Sequence, residues 1–139
     1  MKIAVLDGQG GGIGVQLVKA LASLDDERIE IIVLGTNAVA TANMLKSGAN
    51  RGASGENAVR MILPEVDIVV GPAAICFANA MMGEITPGVA QAVSSCEALK
   101  LLLPLRIHRV IQIGVEREPL PHLIEHLVSR IKQILSEGD

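Results

Sequence analysis

Aromatic residues are almost absent from the chain: it has no Trp and no Tyr, and Phe77 is its only Phe. A single-stranded nucleic acid would find no side chains on which to stack its bases. Twelve Lys+Arg against 15 Asp+Glu give a net charge of −3, so no basic excess is there to neutralise a phosphate backbone. Nucleic acid is therefore not an expected partner. Cysteine is scarce too. Cys76 and Cys96 stand apart without metal-ligand spacing, and the start of the chain shows no signal-peptide pattern. Neither a disulfide framework nor a zinc site is expected, and the expected location is cytoplasmic. Long apolar runs are also missing. The longest charge-free stretch, between Asp67 and Glu84, is shorter than the ~20 residues of a spanning helix and contains Gly71, Pro72, Asn79 and Gly83, so no membrane segment is expected.

What is present is aliphatic bulk. With 139 residues, 50% of them hydrophobic, and a mean hydropathy of +0.45, the chain can bury the core of one domain spanning residues 1–139. Lys2 to Asp7 reads as a strand, after which Ile13, Leu17, Leu21 and Leu24 take up helical spacing. Glu30 to Gly35 is a strand apolar on both faces, followed by a helix from Ala38 to Ser47 that Thr36 or Asn37 can cap and Gly48 ends. A long loop, Gly48 to Gly55, leads to a short helical segment through Glu56, Asn57, Val59 and Leu63. Val66 to Val70 is the third expected strand, and Thr86-Pro87 opens a helix buried along Val89, Val93 and Cys96. Lys100 to Leu103 and Arg109 to Val115 read as strands four and five. The five residues between them are too few for a parallel crossover, so strand five is expected to run antiparallel. An amphipathic helix from Leu120 to Leu135 closes the pattern. The alternation predicts a three-layer, Rossmann-like α/β fold: a mostly parallel sheet of about five strands in the order 3-2-1-4, an antiparallel last edge strand and a C-terminal helix.

The densest chemical signal is the turn Gly8-Gln9-Gly10-Gly11-Gly12-Ile13-Gly14, between the first strand and first helix. Glycine permits left-handed backbone and close approach of an anion, and a helix N-terminus offers free N–H groups and a favourable dipole. The turn is thus a candidate phosphate cradle. The spacing Gly8-x-x-x-Gly12-Ile13-Gly14 resembles the first-turn motif of short-chain dehydrogenases, which implies a dinucleotide such as NAD or NADP. Two features depart from that pattern. The second strand ends Leu34-Gly35-Thr36-Asn37, with no carboxylate for the adenosine ribose, which Thr36 and Asn37 would have to contact instead. The chain also lacks the tyrosine of the Tyr-x-x-x-Lys catalytic pair. NAD, NADP and a mononucleotide all stay open. Asp7, beside the turn, would repel a phosphate and is expected to brace the loop N–H groups, the alternatives being a ribose hydroxyl or a metal.

Over nearly the whole chain, MKIAVLDGQGGGIG, LGTNAVAT, GANRGASGENA, DIVVGP, ANAMMGEITP and the late IGV resemble a small family of uncharacterised bacterial proteins classed as a domain of unknown function. The resemblance implies no activity. Among the other candidates, Arg51 in the Gly48–Asn57 loop suits bidentate phosphate or carboxylate recognition, and Glu84 and His108 are the candidate catalytic acid–base groups, near Asn79, Thr86 and Arg106. His122-x-x-Glu125-His126 matches an inverted zinc-protease pattern but has no evident third ligand, and Cys76 reads as a buried small hydrophobe. The expected function is binding of a phosphorylated small molecule at the glycine turn, as a small reductase-type enzyme or a subunit of one. The alternative is a non-catalytic oligomeric nucleotide sensor or assembly protein. A homo-oligomer, most simply a homodimer, is expected because an edge strand and aliphatic surface need covering.

Overall fold

The computed structural model describes residues 1–137. Five strands form one parallel sheet: β1 (Lys2–Asp7), β2 (Glu30–Gly35), β3 (Arg51–Ser54), β4 (Ile68–Pro72) and β5 (Leu99–Leu103), in the order β3-β2-β1-β4-β5. The helices are α1 (Gly12–Ala22), α2 (Ala38–Lys46), α3 (Glu56–Ile62), α4 (Pro87–Ser95) and α5 (Leu120–Glu137). Successive side chains of a strand point to opposite faces, so β1 feeds two cores. Ile3 and Val5 pack with Leu17 and Leu21 of α1, Met44 of α2 and Leu127 and Ile131 of α5. Ala4 and Leu6 pack on the other side with Val59 of α3 and Val89 and Val93 of α4. A strand sandwiched this way must be apolar at every position, which is why the β1 and β2 segments read as near-continuous aliphatic runs.

Three expectations about strands need correction. The Gly48–Asn57 segment is not all loop, because Arg51–Ser54 pairs with β2 as the sheet edge. Its sequence, RGAS, carries no apolar alternation because an exposed edge strand has little to bury. Gly52 is required there, since a Cβ would run into Val33 of β2. β3 thus takes the place beside β2, and the Val66–Val70 run, expected there as strand three, supplies β4 and pairs directly with β1. Arg109–Val115 is not a strand. Its only ladder contact is an isolated antiparallel bridge between Ile107 and Val110. Left-handed backbone at Arg109 (φ 61°) and Gly114 (φ 86°) interrupts the extended conformation at both ends of the run. Ile111 and Ile113 consequently remain 86% and 91% exposed, and β5 is an edge, parallel to β4.

The chain progresses outward from β1 in both directions, so the connections leaving the carboxyl ends of β1 and β4 diverge to opposite sides of the sheet. Ligands of open α/β sheets bind in the crevice at that switch point. No described helix is long and apolar enough to cross a membrane.

Candidate functional site

The glycine turn lies at the carboxyl end of β1, and two carboxylates determine its shape. Asp7, 3% exposed, accepts hydrogen bonds from the N–H groups of Gly8 and Gly14, both at 2.8 Å, and Ile13 N–H adds to them. Burial nevertheless outweighs these donors and raises the Asp7 pKa above the ordinary carboxylate range, with the nearby charge of Glu84 acting in the same sense. Asp7 is therefore the expected brace, and it uses donors at the start of α1 that a phosphate would otherwise take. From α2, Asn37 and Asn43 donate to the carbonyl oxygens of Gln9 and Gly10 at 2.9 and 3.0 Å, fixing the loop from the other side. The N–H groups of Gly10 and Gly12 make no protein hydrogen bond among the described residues. A Cβ at either residue would meet open space.

Glu84 is delivered to the same turn from the connection between β4 and α4. Its Oε1 accepts from Gln9 N–H at 2.8 Å, the Thr36 hydroxyl at 2.7 Å and the Asn37 amide at 2.9 Å. The Thr36 hydroxyl, Gln9 N–H and Asn37 amide hold its carboxyl below the ordinary range, so it is ionised at neutral pH. Thr36 and Asn37, which the sequence offers as either ribose contacts or helix caps, both hold this carboxylate, and Asn37 Oδ1 also caps α2 through Ala40 N–H. A stably ionised carboxylate with one oxygen triply hydrogen-bonded is poorly suited to general acid work, and its Oε1 ties the 79–84 segment to the turn and to the end of β2. The end of β2, at Thr36 and Asn37, is bridged to the 79–84 segment by that tie.

The β4 half is open. A crevice of 760 Å³ runs between Gln9 and Ile13 of the glycine turn, the 72–82 segment after β4, and the 105–110 segment after β5. Its walls are apolar, through Phe77, Met81, Met82, Ile107 and Val110, and its polar groups are Gln9, Asn79, Arg106 and His108. Arg106 forms no ion pair among the described residues. The backbone around the crevice is strained: Gln9 (φ 52°), Asn79 (φ 68°), Met81 (φ 55°) and Met82 (φ 57°) line it in left-handed conformation, and Arg109 stands between two lining residues. Such conformations in residues with side chains are uncommon and gather at ligand clamps and switch regions.

Arg51 is not part of this site. It sits at the amino end of β3, where its Nε lies 2.6 Å from Glu30 Oε1 at the opposite edge of the sheet from the glycine turn. The two most distinctive sequence segments do meet. The Thr86 hydroxyl, which caps α4, donates to Glu56 at the start of α3, and a Cβ at Gly88 would push the Glu56 carboxylate out of this place. That contact ties GASGEN to GEITP and steadies the segment that carries Glu84. Cys76 is half-buried, with burial pushing its thiol pKa up. On α5, His126 Nε2 lies 3.4 Å from Glu118 on the exposed face. Sequence reasoning missed Phe77, Met81 and Met82 as crevice walls. A run of apolar residues after a strand suggests core, and only the left-handed turns that hold these residues outward distinguish wall from core.

The fold and crevice define a doubly wound α/β domain with a ligand-sized cleft at its switch point. The chain belongs to the family described as Domain of unknown function (DUF3842), whose model matches residues 2–136. No curated protein matches it. Among solved structures, a dodecameric FMN-dependent UbiX-like decarboxylase from Escherichia coli O157:H7 resembles it at 14% identity and a TM-score of 0.44, over 100% of this chain and 95% of that one. So distant a likeness says nothing of what this chain binds.

Proposed function

We propose that this protein binds a phosphorylated small molecule of mononucleotide size in the crevice. In this reading the phosphate lies between Arg106 and His108 on one side and the free N–H of Gly12, at the α1 N-terminus, on the other. The base or other flat body lies against Phe77, Met81 and Ile107. The observation that carries it is the open crevice itself, of a volume usual for small-molecule sites, with an unpaired arginine facing the glycine turn. The charge distribution supports this direction: the ionised Glu84 lies on the β2 side of the turn, whereas Arg106 lines the crevice on the other side.

A thermal-shift panel of FMN, AMP, ATP, NAD, NADP and coenzyme A tests the reading. At a hundred times its dissociation constant, a ligand of the folded state adds about 2.7 kcal/mol, which raises the unfolding midpoint by roughly 9 °C for a domain of this size. Arg106→Ala should weaken the hit about 10- to 100-fold by removing a charge-assisted hydrogen bond. Gly12→Val, whose Cβ meets no atom within 4 Å, should weaken it without loss of fold. Arg51→Ala should leave affinity unchanged. If no compound shifts the wild type at millimolar concentration, or if Arg106→Ala binds as well as wild type, the reading fails.

A second reading, an oligomeric sensor, is favoured by Ile111, Ile113 and Val115, which are exposed immediately after Val110 of the crevice. Sedimentation with and without the panel hit checks it. A ligand-dependent change in assembly is the expected result, and a monomer in both conditions at tens of micromolar removes this reading.

A further inference from the structure

We propose that Glu84 is a latch that determines ligand size: by tying the 79–84 segment across the glycine turn to the end of β2, it confines the site to mononucleotides, and its release admits dinucleotides. This rests on the reading of the crevice as a nucleotide site.

The argument begins with what a dinucleotide needs. In a parallel sheet wound in both directions from β1, its two halves straddle the first turn, with one ribose at the end of β2. Here that position is filled. Three donors from two separate segments, Gln9 N–H, the Thr36 hydroxyl and the Asn37 amide, converge on Glu84 Oε1 within 2.9 Å. The segment also covers Gly8: a Cβ there would come within 2.9 Å of Met81 Sδ and 3.1 Å of Glu84 Oε1. The crevice therefore stops at Gln9 and does not extend over β2.

The same geometry makes the closure reversible. Ile85 is fully buried and the 79–85 turns carry their own backbone bonds, but Asn79, Met81, Met82 and Gly83 all hold left-handed backbone and Met82 is 95% exposed, so the outer part of the segment is held over the glycine turn by the Glu84 tie. Glu84 Oε2 makes no hydrogen bond among the described residues, which leaves Oε1 as the anchor. An incoming ribose or phosphate oxygen can take over the three donors, so displacing the carboxylate does not leave them unsatisfied.

The test compares wild type, Glu84→Ala and Thr36→Val by calorimetric titration with two probe pairs: nicotinamide mononucleotide with NAD, and FMN with FAD. Within at least one pair, Glu84→Ala should bind the dinucleotide at least tenfold more tightly than wild type, with mononucleotide affinity changed less than threefold. Thr36→Val removes one donor and keeps the side-chain shape, so it should give a smaller gain in the same direction. Hydrogen exchange should show faster exchange of the Gln9 amide in both variants, with the buried β1 amides unaltered. Equal dinucleotide affinity in wild type and both variants, absence of binding included, overturns the latch, as does a Gln9 amide whose exchange does not change. Mononucleotide binding by the wild type without a dinucleotide gain in the variants leaves the function standing and removes the latch. A dinucleotide gain without mononucleotide binding by the wild type overturns both the mononucleotide reading and the latch as a size filter. Should Glu84→Ala not fold, Thr36→Val carries the same comparison.

Discussion

Asp7→Ala is expected to lower the unfolding midpoint by roughly 10 °C, because it leaves buried N–H groups at the start of α1 without acceptors, at about 1–3 kcal/mol each. The bonds at stake run from Gly8 and Gly14 to the two carboxylate oxygens, both at 2.8 Å and both shielded from water. Asp7→Asn keeps one acceptor oxygen and should lose about half as much. The pH dependence has a definite sign. Burial raises the Asp7 pKa in the folded state, so folding disfavours the ionised form. The stability this group contributes is complete below its unfolded pKa and is lost as pH rises through the higher folded value. Acidification from neutral pH through that window should therefore stabilise the wild type relative to Asp7→Asn. Chemical denaturation of the variants across that range checks both statements, and a change of under 1 kcal/mol in Asp7→Ala would show that the carboxylate is not the brace.

Gly71→Ala should be comparably damaging for a different reason. In β4, a Cβ at Gly71 would enter the van der Waals shell of the Leu6 carbonyl oxygen, a backbone atom of β1 that can yield only if the sheet distorts. Overpacking against backbone is expected to destabilise by about 2–4 kcal/mol, or roughly 7–13 °C in the midpoint. The distortion would also reach Pro72, a residue of the crevice wall. Gly10→Ala is the internal control, since its Cβ meets no atom within 4 Å and its stability should change by less than ~0.5 kcal/mol. A Gly71→Ala protein as stable as Gly10→Ala would contradict the close approach of β1 and β4.

Much of the fold can be read locally. The aliphatic runs Lys2–Asp7 and Glu30–Gly35 are strands because a parallel sheet covered on both faces requires apolar residues at every position. The spacing of Leu123, Leu127, Ile131 and Ile134 is a buried helical face wherever it occurs on a helix. Asn37 and Thr86 are caps through bonds to residues three positions away, Ala40 and Val89. In each case the signal and its structural consequence lie within a few residues of each other.

The edges of the sheet were not legible in the same way. Arg51–Ser54 is a strand only because β2 offers it a row of backbone partners, and four polar or small residues give no sign of that. Arg109–Val115 has the composition of a strand but no partner row among the described residues, and Arg109 and Gly114 turn it away.

By itself, the sequence determined the α/β class, the strand-turn-helix around Gly8–Gly14 and the bracing carboxylate beside it, all features of adjacent residues. Tertiary structure alone decided that Glu84 bonds to the turn from 75 positions beyond Gln9, that Arg106 and His108 line one crevice with Gln9 and Ile13 while Arg51 does not, and that this ligand-sized opening lies beside the ends of β1, β4 and β5. These depend on which strand lies beside which, and that order follows from the packing of the whole sheet, to which no local window of residues has access.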